Sequence, residues 1–305
     1  MIHFDVIAYD LSYVAVAFFA IYLTGWLIYT RYAASGHSVV TEIFEKRNMA
    51  AGLEIAAFLA LEFLLAVNAL NGEAVAVSYL RDLEAVFVTI LISNLCFFSL
   101  RGMVSMYIRS HFVNQKDSHG EEVRFNNEIF GQQNLAATFF SISFMILMYF
   151  VIQKEDFLSL EGSSTAGLMN MLGTFVSGAL LMWVYSLVFM PKGHTVLNEL
   201  FLDNNPAVGM SLCGFLFANL FVQSKIVLML EDGAHIFNSG WVLGAYFLSI
   251  LGFLIAVRFL FGFLMGRVAK GCYHEQFVKA DNPVIGMLDM VLMISCGHML
   301  GVIIY

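Results

Sequence analysis

Six ionisable residues lie inside long apolar runs: Glu54, Glu62, Arg101, Arg258, Asp289 and His298. A charge at the centre of a bilayer costs at least ~2.5–3.5 kcal/mol, so such groups must face a partner or water. By default they mark a path for a proton, an ion or a polar solute. Arg101 is expected to pair with Glu54 or Glu62, and Arg258 with Asp289, across neighbouring helices. Glu54 and Glu62 are eight positions apart, about 80° round a helix, so one face can carry both. Asp289 and His298, nine apart, face nearly opposite ways and do not serve one site. The plainer reading is that these pairs only fix helix register, or that the arginines snorkel to the interface. Both readings stay open at this point.

A second set of polar residues recurs at fixed spacing. Glu42-Ile-Phe44 is followed by Asn48-x-Ala50, Glu128-Ile-Phe130 by Asn134-x-Ala136, and Glu199-Leu-Phe201 by Asn205-x-Ala207. Glu275-Gln-Phe277 is followed one residue late by Asn282-Pro-Val284. Each Asn opens an apolar run, with Gly52, Thr138, Gly209 or Gly286 four residues further on. Asn is a favoured N-cap, and Pro206 and Pro283 suit a first helical turn. On that view Glu and Phe set the depth and entry angle of the next helix. Alternatively, four Asn side chains and helix N-termini converge on a central path, where their partial positive charge attracts an anion. Asn205-Pro206-Ala207 also spells the aquaporin tripeptide, but it occurs once and carries no weight.

The elements that must position these residues are membrane helices. The chain has 305 residues, 60% hydrophobic and only 12% charged, with mean hydropathy +0.79. Soluble domains carry about twice that charged fraction. Apolar runs of about 18–26 residues match a hydrocarbon core about 30 Å thick. The pattern predicts eight spans, at Ile7–Tyr29, Met49–Leu70, Leu83–Ile108, Leu135–Ile152, Thr165–Met190, Pro206–Leu230, Gly240–Met265 and Pro283–Ile304. The expected fold is therefore all-α and polytopic, in four parallel two-helix repeats. Met1–Asp10 has no basic stretch or small-residue cleavage site, so the first run reads as a retained helix. Gly178, Gly244, Gly252 and Gly262 are expected to allow close helix approach.

Two halves, 1–157 and 158–305, look like a fused duplication. Gly36-His37-Ser38-Val39 matches Gly193-His194-Thr195-Val196, and Asn48 to Asn205 is the same step of 157 as Arg101 to Arg258. An even helix count inserts both halves in one sense, unlike the inverted repeats of many transporters. Ten of the fifteen Lys and Arg lie in or beside the connectors after the odd helices. The positive-inside bias places those connectors in the cytoplasm and both termini in the periplasm.

The motif resembles that of the YjfL-like bacterial inner-membrane proteins, the family of domain of unknown function three-fifty. The resemblance covers the chain as four tandem units, departing at the late Asn282 and at Val284 in place of Ala. It implies residence in the bacterial inner membrane and an envelope-stress neighbourhood, and no established activity.

Other chemistry finds little footing. Cys96, Cys213, Cys272 and Cys296 form no Cys-x-x-Cys pair, and His274-Glu275 lacks the second His of a zinc protease helix. Gly209-Met-Ser211-Leu-Cys213 lacks the closing Gly of a nucleophile elbow. No Walker or dinucleotide loop is present, no basic stripe suggests nucleic acid, and no metal or cofactor is expected. His37, His111, His119, His194 and His274 read as solvated connector residues, with metal or pH sensing as the alternative. The functional expectation is a non-enzymatic channel or transporter for an ion or small solute between two pseudo-symmetric halves. A membrane scaffold or envelope-stress component recruiting a cytoplasmic partner through the inner connectors is the alternative. A membrane-bound lipid enzyme ranks third, and the oligomeric state stays open.

Overall fold

Each motif Asn launches a helix because its side chain takes over the first free backbone donors. Oδ1 of Asn48 accepts from Ala51 N, that of Asn134 from Ala137 N, that of Asn205 from Ala207 and Val208 N, and that of Asn282 from Val284 N. The computed structural model that shows this describes residues 4–34, 36–70, 79–152, 164–231, 240–269 and 275–304. The connectors expected at 71–82, 153–164 and 231–239 fall largely outside the described residues. So do Cys272, His274 and the Glu275 side chain.

In chain order the helices are α1 (Phe4–Ala20), α2 (Met49–Leu70), α3 (Tyr79–His111), α4 (Phe125–Phe130) and α5 (Leu135–Ile152). They continue with α6 (Ser164–Phe189), α7 (Val196–Phe201), α8 (Pro206–Glu231), α9 (Gly240–Ala269) and α10 (Pro283–Ile304). Helix α1 runs on through π-helical stretches at Ile21–Trp26 and Tyr29–Ala33. Shorter π-helical turns occupy Thr41–Glu45 and Glu275–Lys279. Eight helices among the described residues are long and apolar enough to cross a membrane, from Leu11–Ala33 to Pro283–Ile303. The chain is therefore read as a multi-pass membrane protein.

The Glu-x-Phe half of each motif forms a short helical turn, and the residue just before each Asn turns the chain. Arg47, Gln133, Asn204 and Asp281 all have positive φ, from 48° to 60°. Non-glycine residues pay roughly 1–2 kcal/mol for that conformation, so it persists only where the surroundings hold it. The four elbows share a backbone shape that their side-chain identities do not.

The chain forms two compact units. The first comprises Met1–Val113, Arg124–Gln133 and Phe144–Leu172; the second comprises Asn114–Val123, Asn134–Ser143 and Gly173–Tyr305. In the first, α1, α2 and α3 meet through a core of Ala17, Ala20, Ile21, Ala66, Val86 and Ile90. Small side chains there let the helices approach closely, which matters where lipid offers no hydrophobic drive to associate.

In the second unit the tightest pair is α8 with α10. A Cβ placed on Gly214 would lie 2.6 Å from Met290 Cα, and one on Gly297 would lie 2.6 Å from Ala218 Cα. Gly286 of α10 abuts Ala207 of α8, and Gly209 of α8 abuts Ala136 of α5. Gly244 and Gly252, expected from the sequence to be packing glycines, correct that expectation: a Cβ on either meets nothing within 4 Å. They lie on α9, whose span is mostly unburied, whereas the α5 and α8 spans are each 78% buried.

Candidate functional site

Position 54 of α2 and position 101 of α3 are both buried, and two charges there require each other. Arg101 Nη1 donates to Glu54 Oε1, and Tyr29 Oη donates to Glu54 Oε2. The second guanidinium nitrogen reaches Asn126 Oδ1 at 3.1 Å, and the group lies 4.9 Å from the Phe125 ring centroid. Tyr29 opens the second π-helical stretch of α1, a departure from α-helix that often accompanies functional positions.

The second compact unit holds a related constellation with its carboxylate moved. Arg258 Nε donates to Asp289 Oδ2 at 2.6 Å, and its Nη2 donates to Ser211 Oγ at 2.8 Å. Tyr185 Oη donates to Ser211 Oγ at 2.8 Å, and Ser211 in turn donates to Asp289. The guanidinium lies 3.8 Å from the Phe189 ring centroid and 5.0 Å from that of Phe277. Ser211 follows Glu54 by the same 157 positions that separate the two arginines. Position 211 carries a hydroxyl where position 54 carries an acid, and the acid of the second cluster comes from α10 as Asp289.

The structure separates Glu54 from Glu62. Glu62 is buried, and its described hydrogen-bond partner is Ser93, whose Oγ donates to Oε1. Oε2 of Glu62 has no partner among the described residues. It lines a cavity with room for about one water molecule, formed with Phe58, Leu65, Phe97, Met145 and Met148. His298 lies exposed on α10 with its ring 5.3 Å from that of Phe221. It joins neither cluster.

The motif residues form bridges as well as caps. Asn48 Nδ2 donates to the carbonyls of Ile129 and Phe130, both at 3.0 Å. Asn134 Nδ2 donates to Leu200 O at 2.9 Å. Asn205 Nδ2 donates to Phe277 O at 3.2 Å and Val278 O at 3.3 Å. Thus each of these Asn holds the next Glu-x-Phe turn along the chain. Asn282 donates to no described residue.

Phe130, Phe201 and Phe277 are buried in protein rather than anchored among headgroups, while Phe44 is exposed. The preceding Asn captures a carbonyl of each turn, those of Ile129 and Phe130, of Leu200, and of Phe277 and Val278, which draws the three turns inward. Glu128 is also buried, at the place in its turn that Glu42 and Glu199 hold in theirs.

Two of the connector histidines, His37 partly exposed and His194 exposed, also touch buried carboxylates. His37 Nδ1 lies 3.4 Å from Glu42 Oε1, and His194 Nδ1 lies 2.5 Å from Glu199 Oε1. The same carboxylates receive Asn48 Nδ2 at 3.3 Å and Asn205 Nδ2 at 2.9 Å, and Lys46 Nζ sits 2.8 Å from Glu42. Burial pushes the Glu42 carboxyl upward, but bonds from Lys46, Asn48 and His37 outweigh it and hold the group below its usual range. Asp281 is raised instead, by burial and then by the charges of Glu199 and Asp203.

The sequence reading did not place Tyr29, Tyr185, Ser93 and Ser211 beside the buried charges, since hydroxyls inside apolar runs carry no period of their own. One signal was present: Tyr29 and Tyr185 are 156 positions apart, within one of the spacing of 157 between Arg101 and Arg258. Among the described residues no three His, Cys, Asp or Glu side chains cluster as metal ligands. No curated protein and no solved structure matches the chain. Residues 163–304, just under half of the chain and the stretch that carries Arg258, Asp289 and the last two motifs, match the family described as Domain of Unknown Function (DUF350).

Proposed function

We propose that this chain is a bacterial inner-membrane protein that passes protons or small cations, built from four hairpins inserted in one sense. Each hairpin is two spans joined by an elbow, and the halves are 1–157 and 158–305. The left-handed residue before every motif Asn and the run of Asn-to-carbonyl bonds support the repeat. The charge bias of the connectors supports cytoplasmic elbows and periplasmic termini, and the motif supports a YjfL-like kinship beyond the matched stretch.

Glu62 carries the transport reading. An ionised carboxylate there has one hydroxyl donor and no cationic partner among the described residues. A proton or small cation must neutralise it, and the adjoining cavity gives that species somewhere to sit. Glu54 and Asp289 each already hold an arginine, so they fasten helices. The test is flux into proteoliposomes, read with a trapped pH dye and with imposed Na⁺ and K⁺ gradients. Glu62→Gln, which keeps shape and removes charge, is expected to abolish flux at unchanged thermal stability. Flux untouched by that change, or no flux of any of the three ions, would refute the reading.

The scaffold alternative draws on one observation. The connector Asn114–Val123 is ordered, with Asp117 Oδ1 accepting from His119 N at 2.8 Å and Glu121 N at 2.9 Å. A folded polar loop is a surface that a soluble protein can read. Co-purification of one soluble partner, lost when 115–122 is replaced by a Gly-Ser linker, would favour it.

A further inference from the structure

Among the described residues the Asn-to-carbonyl relay leaves the amide of Asn282 and the carbonyls of Ile43 and Phe44 without side-chain partners, and the two places are complementary. We infer that a second copy of this chain docks there, its first elbow against the last hairpin of its neighbour, in a head-to-tail contact that repeats the internal one. The inference rests on the four-hairpin reading above.

The donor end is on α10. Asn205 gives its Nδ2 to Phe277 and Val278, but Asn282, the next in line, gives its amide to no described residue. Ala136 and Ala207 are buried under Gly209 and Gly286 of the following helices, yet Val284, the equivalent position, is 62% exposed. The acceptor end is on the first hairpin. Phe130, Phe201 and Phe277 are buried where a preceding Asn or its hairpin covers them, yet Phe44 is 74% exposed. The carbonyls of Ile43 and Phe44 receive no side-chain donor among the described residues, unlike those of Ile129 and Phe130. Gly209 and Gly286 each press against an Ala of the preceding helix, but a Cβ on Gly52 would meet nothing within 4 Å.

Lipid can cover Phe44 and Val284, since apolar exposure is ordinary for a membrane helix. Water and headgroups can solvate Asn282 and the carbonyls of Ile43 and Phe44, but a second copy offers both partners at once, in the geometry already used inside the chain. Because the two faces differ, the contact is heterologous and builds a ring if its rotation closes and a filament if it does not.

Subunit counting by single-molecule photobleaching in liposomes tests this. Wild type is expected to show multi-step spots. Gly52→Leu fills the acceptor gap and Asn282→Asp removes the donor, and each variant alone is expected to give single-step spots. Mixed in two colours, the variants are expected to recover two-step spots containing one of each, because one keeps an intact tail and the other an intact head. Single-step spots in wild type, unchanged counts in either variant, or a mixture that stays single would overturn the inference. Unaltered thermal stability of each variant guards against misfolding. Failure of the four-hairpin reading is seen separately: cysteines at the elbows would then label from opposite faces, whereas same-face labelling with single-step wild type defeats the docking alone.

Discussion

Asn134 donates Nδ2 to the carbonyl of Leu200 at 2.9 Å, across 66 positions of sequence, while its Oδ1 caps Ala137 N at 2.8 Å. One side chain therefore starts a membrane helix and fastens the next short turn to it. Asp is as good a cap as Asn, but it has no donor and would set a carboxylate against a carbonyl. Asn134→Asp is therefore expected to be at least as destabilising as Asn134→Ala, both by about 1–3 kcal/mol. Denaturant unfolding in micelles checks this; a wild-type-like Asp variant would reduce the residue to a cap.

The buried pairs make a second prediction. Removing one partner strands a charge, at about 3–5 kcal/mol, whereas removing both can be nearly neutral. Arg258→Met should lower stability strongly, and adding Asp289→Leu should restore much of the loss. Tyr185→Phe should cost less, about 1 kcal/mol, since Arg258 and Ser211 remain bonded. A double-mutant cycle on thermal stability measures the coupling.

Glycines should divide by helix rather than by sequence context. Gly214→Ala and Gly297→Ala push a methyl into α10 and α8 backbone and should cost about 1–3 kcal/mol. Gly244→Ala and Gly252→Ala meet open space on α9 and should be neutral or slightly stabilising. Parallel melting curves of the four variants decide it.

Glu42 predicts a pH dependence of known sign. Its folded-state carboxyl is held below the ordinary value of 4.5, so the folded protein binds this proton less readily than the unfolded chain. Its stabilisation is fully present above that ordinary value and is lost as pH falls through the lower folded one. Glu42→Gln should flatten the acid limb of a stability–pH profile, and Lys46→Ala should shift it upward. An unchanged acid limb in Glu42→Gln would contradict the assignment.

Much of the fold was legible because the bilayer imposes length and polarity on each span. Seven of the eight sequence-derived spans overlap helices of the structure closely; the first helix runs on past Tyr29 to Ala33 through π-helical stretches. Arg258 and Asp289 were legible for the same reason, since buried charge must be matched. The elbows were only half legible: Asn repeats in sequence, but the left-handed residue before it is Arg, Gln, Asn or Asp, and shared backbone shape leaves no shared side chain. The separation of Glu62 from Glu54 was not legible, because helical phase allows a common face and only the Ser93 contact breaks it. The His37–Glu42 and His194–Glu199 contacts were hidden by the polarity of their connectors, which suggests solvent wherever carboxylates are not seen to be buried.

Side-specific labelling of the elbows tests the account most directly. Single cysteines replacing the exposed or half-buried Glu45, Gln132, Asp203 and Ala280, in a Cys272→Ser background, would be treated with a membrane-impermeant maleimide in right-side-out and inside-out vesicles. All four are expected to react from one and the same face, the cytoplasmic one. Labelling of any one from the opposite face would contradict four hairpins inserted in a single sense.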